Sequence, residues 1–303
     1  HDMNQMEIFK NPEFGSIRVI EENGKYYFLS RPRRFGKSLF LDTLSSIFES
    51  KQELFKDLYI YDKYDWNKTY PVIKIDFGNQ KAKTEEELKT FILHRLSDIA
   101  KRYGVELKRE IYYEAFKELI TALKEKTNSQ VVVLVDEYDK PILDNIENLP
   151  LAKEFREILK GFYTIIKGAD EDLKFAFLTG VSKFAKTSIF SGLNNLKDIS
   201  LDKRYSTICG YTQKDVEESF EEYLEDVDME EVKRWYNVYS WLGESVYNPF
   251  DILLFLDSPD KEFRAYWFET GTPTFLIKLI EEKGYYLPNL ENCIVGDSLV
   301  NSF

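Results

Sequence analysis

Two short runs carry residue types that can do chemistry together. The first is Arg31-Pro-Arg-Arg-Phe-Gly-Lys-Ser38, in which a glycine, a lysine and a hydroxyl follow one another directly. Gly36 allows backbone N–H groups to approach an anion with no side chain in the way. Lys37 supplies a mobile positive charge for β and γ phosphates, and the Ser38 hydroxyl can complete the oxygen shell of a bound Mg2+. The turn of Arg31, Pro32, Arg33, Arg34, Phe35, Gly36, Lys37, Ser38 and Leu39 therefore reads as a cradle for the phosphates of a nucleotide such as ATP. The second run is Asp136-Glu137. Asp136 is suited to the metal, directly or through water, and Glu137 to orienting and deprotonating an attacking water.

These residues need rigid elements behind them. The apolar run Tyr26-Tyr-Phe-Leu29 predicts a strand before the cradle, and apolar residues at Leu39, Leu41, Leu44, Ile47 and Phe48 predict a helix after it. Strand, turn and helix in this order form a P-loop. One position is off pattern: Arg31 stands where the first glycine is expected, so Pro32 must set the turn. Val131-Val-Val-Leu-Val135 is apolar throughout, as a strand covered on both faces must be, and it delivers Asp136-Glu137 at its end.

The rest of the chain follows the same alternation. Pro71–Phe77 and Lys174–Gly180 predict strands, and Thr84–Tyr103, Ile111–Lys126 and Glu154–Lys167 predict helices, which together suggest a parallel sheet with crossovers. Thr179, at the tip of the Lys174 strand, is the first candidate for contact with the γ phosphate or attacking water, and Ser182 the second. Ser206–Gly210 reads as a fifth strand. From Thr212 the pattern turns helical, at Gln213–Leu224, Met229–Trp241, Pro249–Leu256, Glu262–Phe268 and Thr274–Lys283. The expected division is a hairpin-like lead-in over 1–24, a P-loop core over 25–210 and a helical lid over 211–303. In the lid, Tyr247-Asn-Pro-Phe250 could line a base pocket and Arg264 could reach the γ phosphate; Arg204 is a candidate for completing a neighbour's site.

Composition bounds the rest. A chain of 303 residues, 43% hydrophobic and 31% charged, is globular and exceeds one ordinary domain. A net charge of −12 repels polyanions, which argues against direct nucleic-acid binding by this chain. Cys209 and Cys293 are far apart and His94 is the only internal histidine, so no zinc site is expected. No signal peptide and no apolar run near 18 residues are seen, and the expectation is a cytoplasmic protein without membrane contact.

Phe28-Leu-Ser-Arg-Pro-Arg-Arg-Phe-Gly-Lys-Ser-Leu-Phe-Leu41, Val135-Asp-Glu-Tyr-Asp-Lys-Pro141, Leu178-Thr-Gly-Val-Ser-Lys-Phe184, Ser188–Leu196 and Tyr247-Asn-Pro-Phe250 together resemble the AAA-ATPase-like family of bacteria and archaea. The resemblance covers roughly 25–303 and implies that Arg31 is a family feature. Members often continue into a PD-(D/E)XK nuclease-like domain, whose carboxylate and lysine set is not seen here. Met6–Gly24 departs from the usual lead-in and resembles the first hairpin of phage antirepressor N-terminal domains. The expected fold is α/β, a three-layer P-loop NTPase of the additional-strand, catalytic-glutamate type with a C-terminal helical lid. The expected function is Mg-ATP binding and hydrolysis that drives a conformational change for an effector, with a homo-oligomer possible. A nucleotide-gated switch with little intrinsic hydrolysis and a P-loop kinase are the alternatives.

Overall fold

The structure is a computed structural model, and it describes residues 24–181 and 196–266. Five strands form one sheet: β1 (Tyr26–Ser30), β2 (Val72–Asp76), β3 (Val131–Asp136), β4 (Leu173–Gly180) and the two-residue β5 (Lys197–Asp198). They run in the order β2-β3-β4-β1-β5, and every pairing is parallel. β4, late in the chain, is thus inserted between β1 and β3.

Side chains alternate between two cores. Phe28, Ile73, Ile75, Val133 and Val135 face one side, where they meet α2 (Glu85–Arg102), α3 (Tyr112–Thr127) and α5 (Leu149–Gly168). Tyr27, Leu29, Val132, Leu134 and Phe177 face the other, against α1 (Lys37–Phe48), Phe55 and Ile60. β3 is buried at all six positions, as a central strand covered by helices requires. Local signals place the helices. Thr84 accepts from Glu87 N–H to cap α2, which carries Glu85, Glu86 and Glu87 in its first turn and Lys101 and Arg102 in its last, matching the helix dipole. A third cluster of buried apolar residues runs from Tyr211 to Leu256 around α6 (Gln213–Ser219), α7 (Met229–Tyr236) and α8 (Pro249–Asp257). Thr212 and Asp215 form a capping box on α6, and Asn248 caps α8.

Several expectations are corrected. Residues 206–210 are a run of turns, not a strand, and the fifth strand is Lys197–Asp198. The cause is local: Cys209 has φ 70°, and Gly210 N–H folds back to Thr207 C=O, so the backbone cannot extend. The helix from Gln213 stops at Ser219, and the one from Met229 stops at Tyr236 because Tyr239 turns to bridge Val246. Residues 261–265 are not helical. The short α4 (Lys140–Leu143) was not foreseen; α5 starts earlier than expected, at an Asn148 cap with a proline in its first turn. The lead-in hairpin before Gly24, Ser182, the Ser188–Asn195 motif, the Thr274–Lys283 helix and Cys293 lie outside the described residues. Among the described residues, no helix is long and apolar enough to cross a membrane.

Candidate functional site

β1 ends at the cradle. Ser30 N–H donates to Ser200 Oγ at 2.8 Å and Arg31 N–H to Gly180 C=O at 3.2 Å, which fixes the entry to the turn. The Arg31 side chain then runs beneath it, 1% exposed. Its guanidinium donates to the carbonyls of Ile208 (3.2 Å), Ser30 (3.0 Å), Ser200 (3.0 Å) and Tyr205 (2.9 Å), and lies 3.8 Å from the centre of the Trp241 ring. This explains an arginine where a glycine is usual: a planar five-donor group meets several backbone acceptors at once. What Arg31 offers a phosphate is backbone, because its charge is committed below.

Above it, Arg33 and Arg34 are exposed and half-buried Pro32 precedes them. Arg34 has φ 61° and its guanidinium sits 4.2 Å from the Phe250 ring centre, so the Tyr247–Phe250 run touches the cradle through Phe250. Phe35 is buried between Tyr239 and Trp241. Gly36, at φ 83°, opens α1, whose first turn holds no acidic residue and leaves the positive end of the helix uncompensated. Lys37 is 5% exposed, and its Nζ donates to Arg31 C=O at 3.1 Å and Pro32 C=O at 2.8 Å. Burial lowers the pKa of Lys37, against the carboxylates of Asp136, Glu137 and Asp139, which raise it. Ser38 is exposed and Leu39 half-buried.

The acidic turn stands across β4 from the cradle. Asp136 is 1% exposed; its Oδ1 accepts from Thr179 Oγ1 at 2.5 Å and from Glu137 N–H at 3.0 Å. Thr179, the expected phosphate contact, is fully buried, and its hydroxyl donates to Asp136. Glu137 is half-buried with φ 49°. Burial pushes its carboxyl above the usual glutamate range; Lys140 and Lys37 pull it back, and Asp136 and Asp76 push it further.

Two carboxylates at this edge had no role in the sequence reading. Asp76 ends β2 in register with Asp136, and its Oδ1 accepts from Gly78 N–H at 2.6 Å. A methyl group at Gly78 would lie 2.8 Å from Asp76 Oδ1 and 3.2 Å from Glu137 Oε2, so both carboxylates crowd one point. The signal was present: Val-Ile-Lys-Ile-Asp76 and Val-Leu-Val-Asp136 end alike. Asp139, fully buried, accepts from Val181 N–H at 3.1 Å. Arg204 is paired with Asp202 through two hydrogen bonds of 3.0 and 2.5 Å, and Arg264 pairs with Glu262. His94 is exposed and Cys209 is a buried thiol outside any disulfide.

The chain matches a family model described as a predicted AAA-ATPase over residues 15–190, opening inside the lead-in and spanning both turns. It is also 48% identical over 288 residues to a protein of Azotobacter chroococcum mcd 1 named as an uncharacterized protein in the vnfD 5′ region. That alignment covers 95% of this chain and 55% of the relative, so the chain spans about half the relative's length. A five-stranded parallel sheet with a phosphate-type cradle after β1, and a match of this extent, place the chain in the predicted AAA-ATPase family, for which ATP binding is the implied property.

Proposed function

We propose that the chain binds Mg-ATP at the edge shared by the two turns and hydrolyses it. The observation that carries this reading is the convergence of the Gly36-Lys37-Ser38 opening of α1 with Asp136 and Glu137, with Thr179 of the intervening β4 bonded to Asp136. That arrangement supports the additional-strand, catalytic-glutamate type. Cradle N–H groups and the start of α1 receive the phosphates. Lys37 exchanges its bonds to Arg31 and Pro32 carbonyls for phosphate oxygens.

The residues suit magnesium. Ser38 presents an exposed hydroxyl, and Asp136 keeps Oδ2 free of hydrogen bonds from the described residues. Among the described residues no three His, Cys, Asp or Glu side chains converge as a metal cage, which suits an ion held mainly by phosphate and water. When bound, such an ion neutralises charge developing on the phosphates. Glu137, with its raised pKa, takes the proton of the attacking water. The cytoplasm is the setting this chemistry fits.

Lys37→Ala should abolish nucleotide binding. Glu137→Gln should keep binding and slow turnover by about 10²–10⁴-fold, the usual worth of a general base. Equal turnover of wild type and Glu137→Gln would remove Glu137 from the reaction.

A second reading, a nucleotide-gated switch, draws on the contacts of Arg31 with Trp241 and Arg34 with Phe250, which tie the cradle to the segment proposed as a lid from Tyr211 onward. Occupancy would then move the 211–266 segment for an effector beyond this chain. Single-turnover hydrolysis and scattering with and without Mg-ATP separate the readings; unchanged shape argues against the switch.

A further inference from the structure

The backbone of Glu137 needs a cause. At φ 49° it occupies a region that residues with a Cβ avoid, and such geometry persists only where the surroundings over-determine it. The determinants lie on both sides of Glu137. Before it, Asp136 takes the Thr179 hydroxyl at 2.5 Å. After it, Tyr138 N–H donates to Thr179 C=O at 3.0 Å, and Asp139 reaches across to Val181 N–H at 3.1 Å from Oδ2 and 3.4 Å from Oδ1.

Asp139 is the unexpected member. It occupies the N-cap position of α4, yet its side chain makes no capping bond to that helix. Its carboxylate is fully buried, an arrangement that carries a desolvation cost. The close fit continues at Gly180, where a methyl group would lie 2.4 Å from the Tyr138 ring and 2.7 Å from Asp139 Oδ1. Helix capping does not account for this carboxylate, and its bonds to Val181 N–H hold it to the residue that follows β4.

We propose that Asp139 is a positioning residue that clamps the acidic turn to the end of β4 and so aims Glu137 at the attacking water. The inference rests on the reading of Glu137 as the water-activating group. Asp139 positions Glu137, and its charge beside Lys37 is removed equally by Asp139→Leu and Asp139→Asn, so a difference in turnover between those two variants reports the clamp alone.

The test is a double-mutant cycle on Mg-ATP turnover, with ATP affinity measured separately. Asp139→Leu fills a similar buried volume without an acceptor and should lower kcat by about 10–100-fold, the usual cost of losing a supporting partner. ATP affinity should match that of Asp139→Asn, which removes the same charge. Asp139→Asn keeps an oxygen for Val181 N–H and should restore most of the turnover. In a Glu137→Gln background, Asp139→Leu should add little, because groups that act as a unit are not additive. Asp139→Ala carries the same cycle if Asp139→Leu does not fold. Equal losses in both backgrounds, or affinity falling in step with kcat, overturn the proposal. A Glu137→Gln enzyme as fast as wild type instead overturns the reading beneath it, and the single variant distinguishes the two failures.

Discussion

Two turns at the same edge of the sheet, 31–36 and 136–139, each hold a residue other than glycine in the left-handed region, Arg34 at φ 61° and Glu137 at φ 49°. They are fastened in opposite ways. The cradle is supported from beneath by two buried side chains, Arg31 and Phe35, while Arg33, Arg34 and Ser38 remain exposed. The acidic turn is gripped on both flanks, through Thr179 of β4 and Val181 just after it, and three of its four residues are buried. A loop proposed to admit phosphates keeps its outer face clear and concentrates its support below. A turn proposed to aim one carboxylate is held all round.

The largest effect expected from this difference is at Arg31. Arg31→Met would leave the carbonyls of Ser200, Tyr205 and Ile208 without their buried donor, at a cost on the order of 3–5 kcal/mol of stability. Arg31→Lys should lose much of the same, since an ammonium cannot reproduce the planar fork. Urea denaturation measures both. A loss under about 1 kcal/mol would show that the cradle does not depend on the Arg31 guanidinium.

A pair of glycines sharpens the comparison at smaller magnitude. Gly180→Ala must displace the Tyr138 ring from 2.4 Å, and overpacking of this kind costs about 1–3 kcal/mol. Its functional signature should be in kcat. Gly36→Ala has space, with only the Cys209 carbonyl at 3.7 Å, and the cost of its φ of 83° is about 1–2 kcal/mol. Its signature should be in ATP affinity. Both variants altering the same parameter would erase the distinction between the turns.

The two turns also differ in how far the sequence revealed them. The cradle was legible because its chemistry is local: Gly36-Lys37-Ser38 follow one another between an apolar strand and an amphipathic helix. Asp136 and Glu137 were legible because an all-apolar strand announces its own end. Thr179 was located at its strand tip, yet its hydroxyl partner lies 43 residues away in sequence, across a strand pair that only the sheet order creates. Asp139 and Asp76 went unassigned for the same reason, as their partners come from just after β4 and from the point where Gly78 meets Glu137. The supposed strand at 206–210 misled because its β-prone Thr207, Ile208 and Cys209 are recruited as a carbonyl-bearing turn for Arg31 and for the cradle, a demand no local pattern expresses.

The smallest expected effect concerns the charges at the two turns, both buried at a cost but with opposite dependence on pH. Burial raises the pKa of Glu137, so the folded state binds its proton more readily than the unfolded chain. The proton-linked stability is therefore fully present below the ordinary glutamate value of 4.5 and is lost as pH rises through the raised native value. Glu137→Gln has no charge to bury, and it should be more stable than wild type at neutral pH, with the difference closing as pH falls through that window. Lys37 runs the other way: burial lowers its pKa, so wild type should gain stability relative to Lys37→Met as pH rises from the lowered native value towards 10.5. Melting temperatures of the three proteins across pH measure both slopes. An unchanged gap between wild type and Glu137→Gln from acid to neutral pH would mean that Lys140 and Lys37 fully offset the burial of that carboxylate, and the acidic turn would then hold its charge no more expensively than an exposed one.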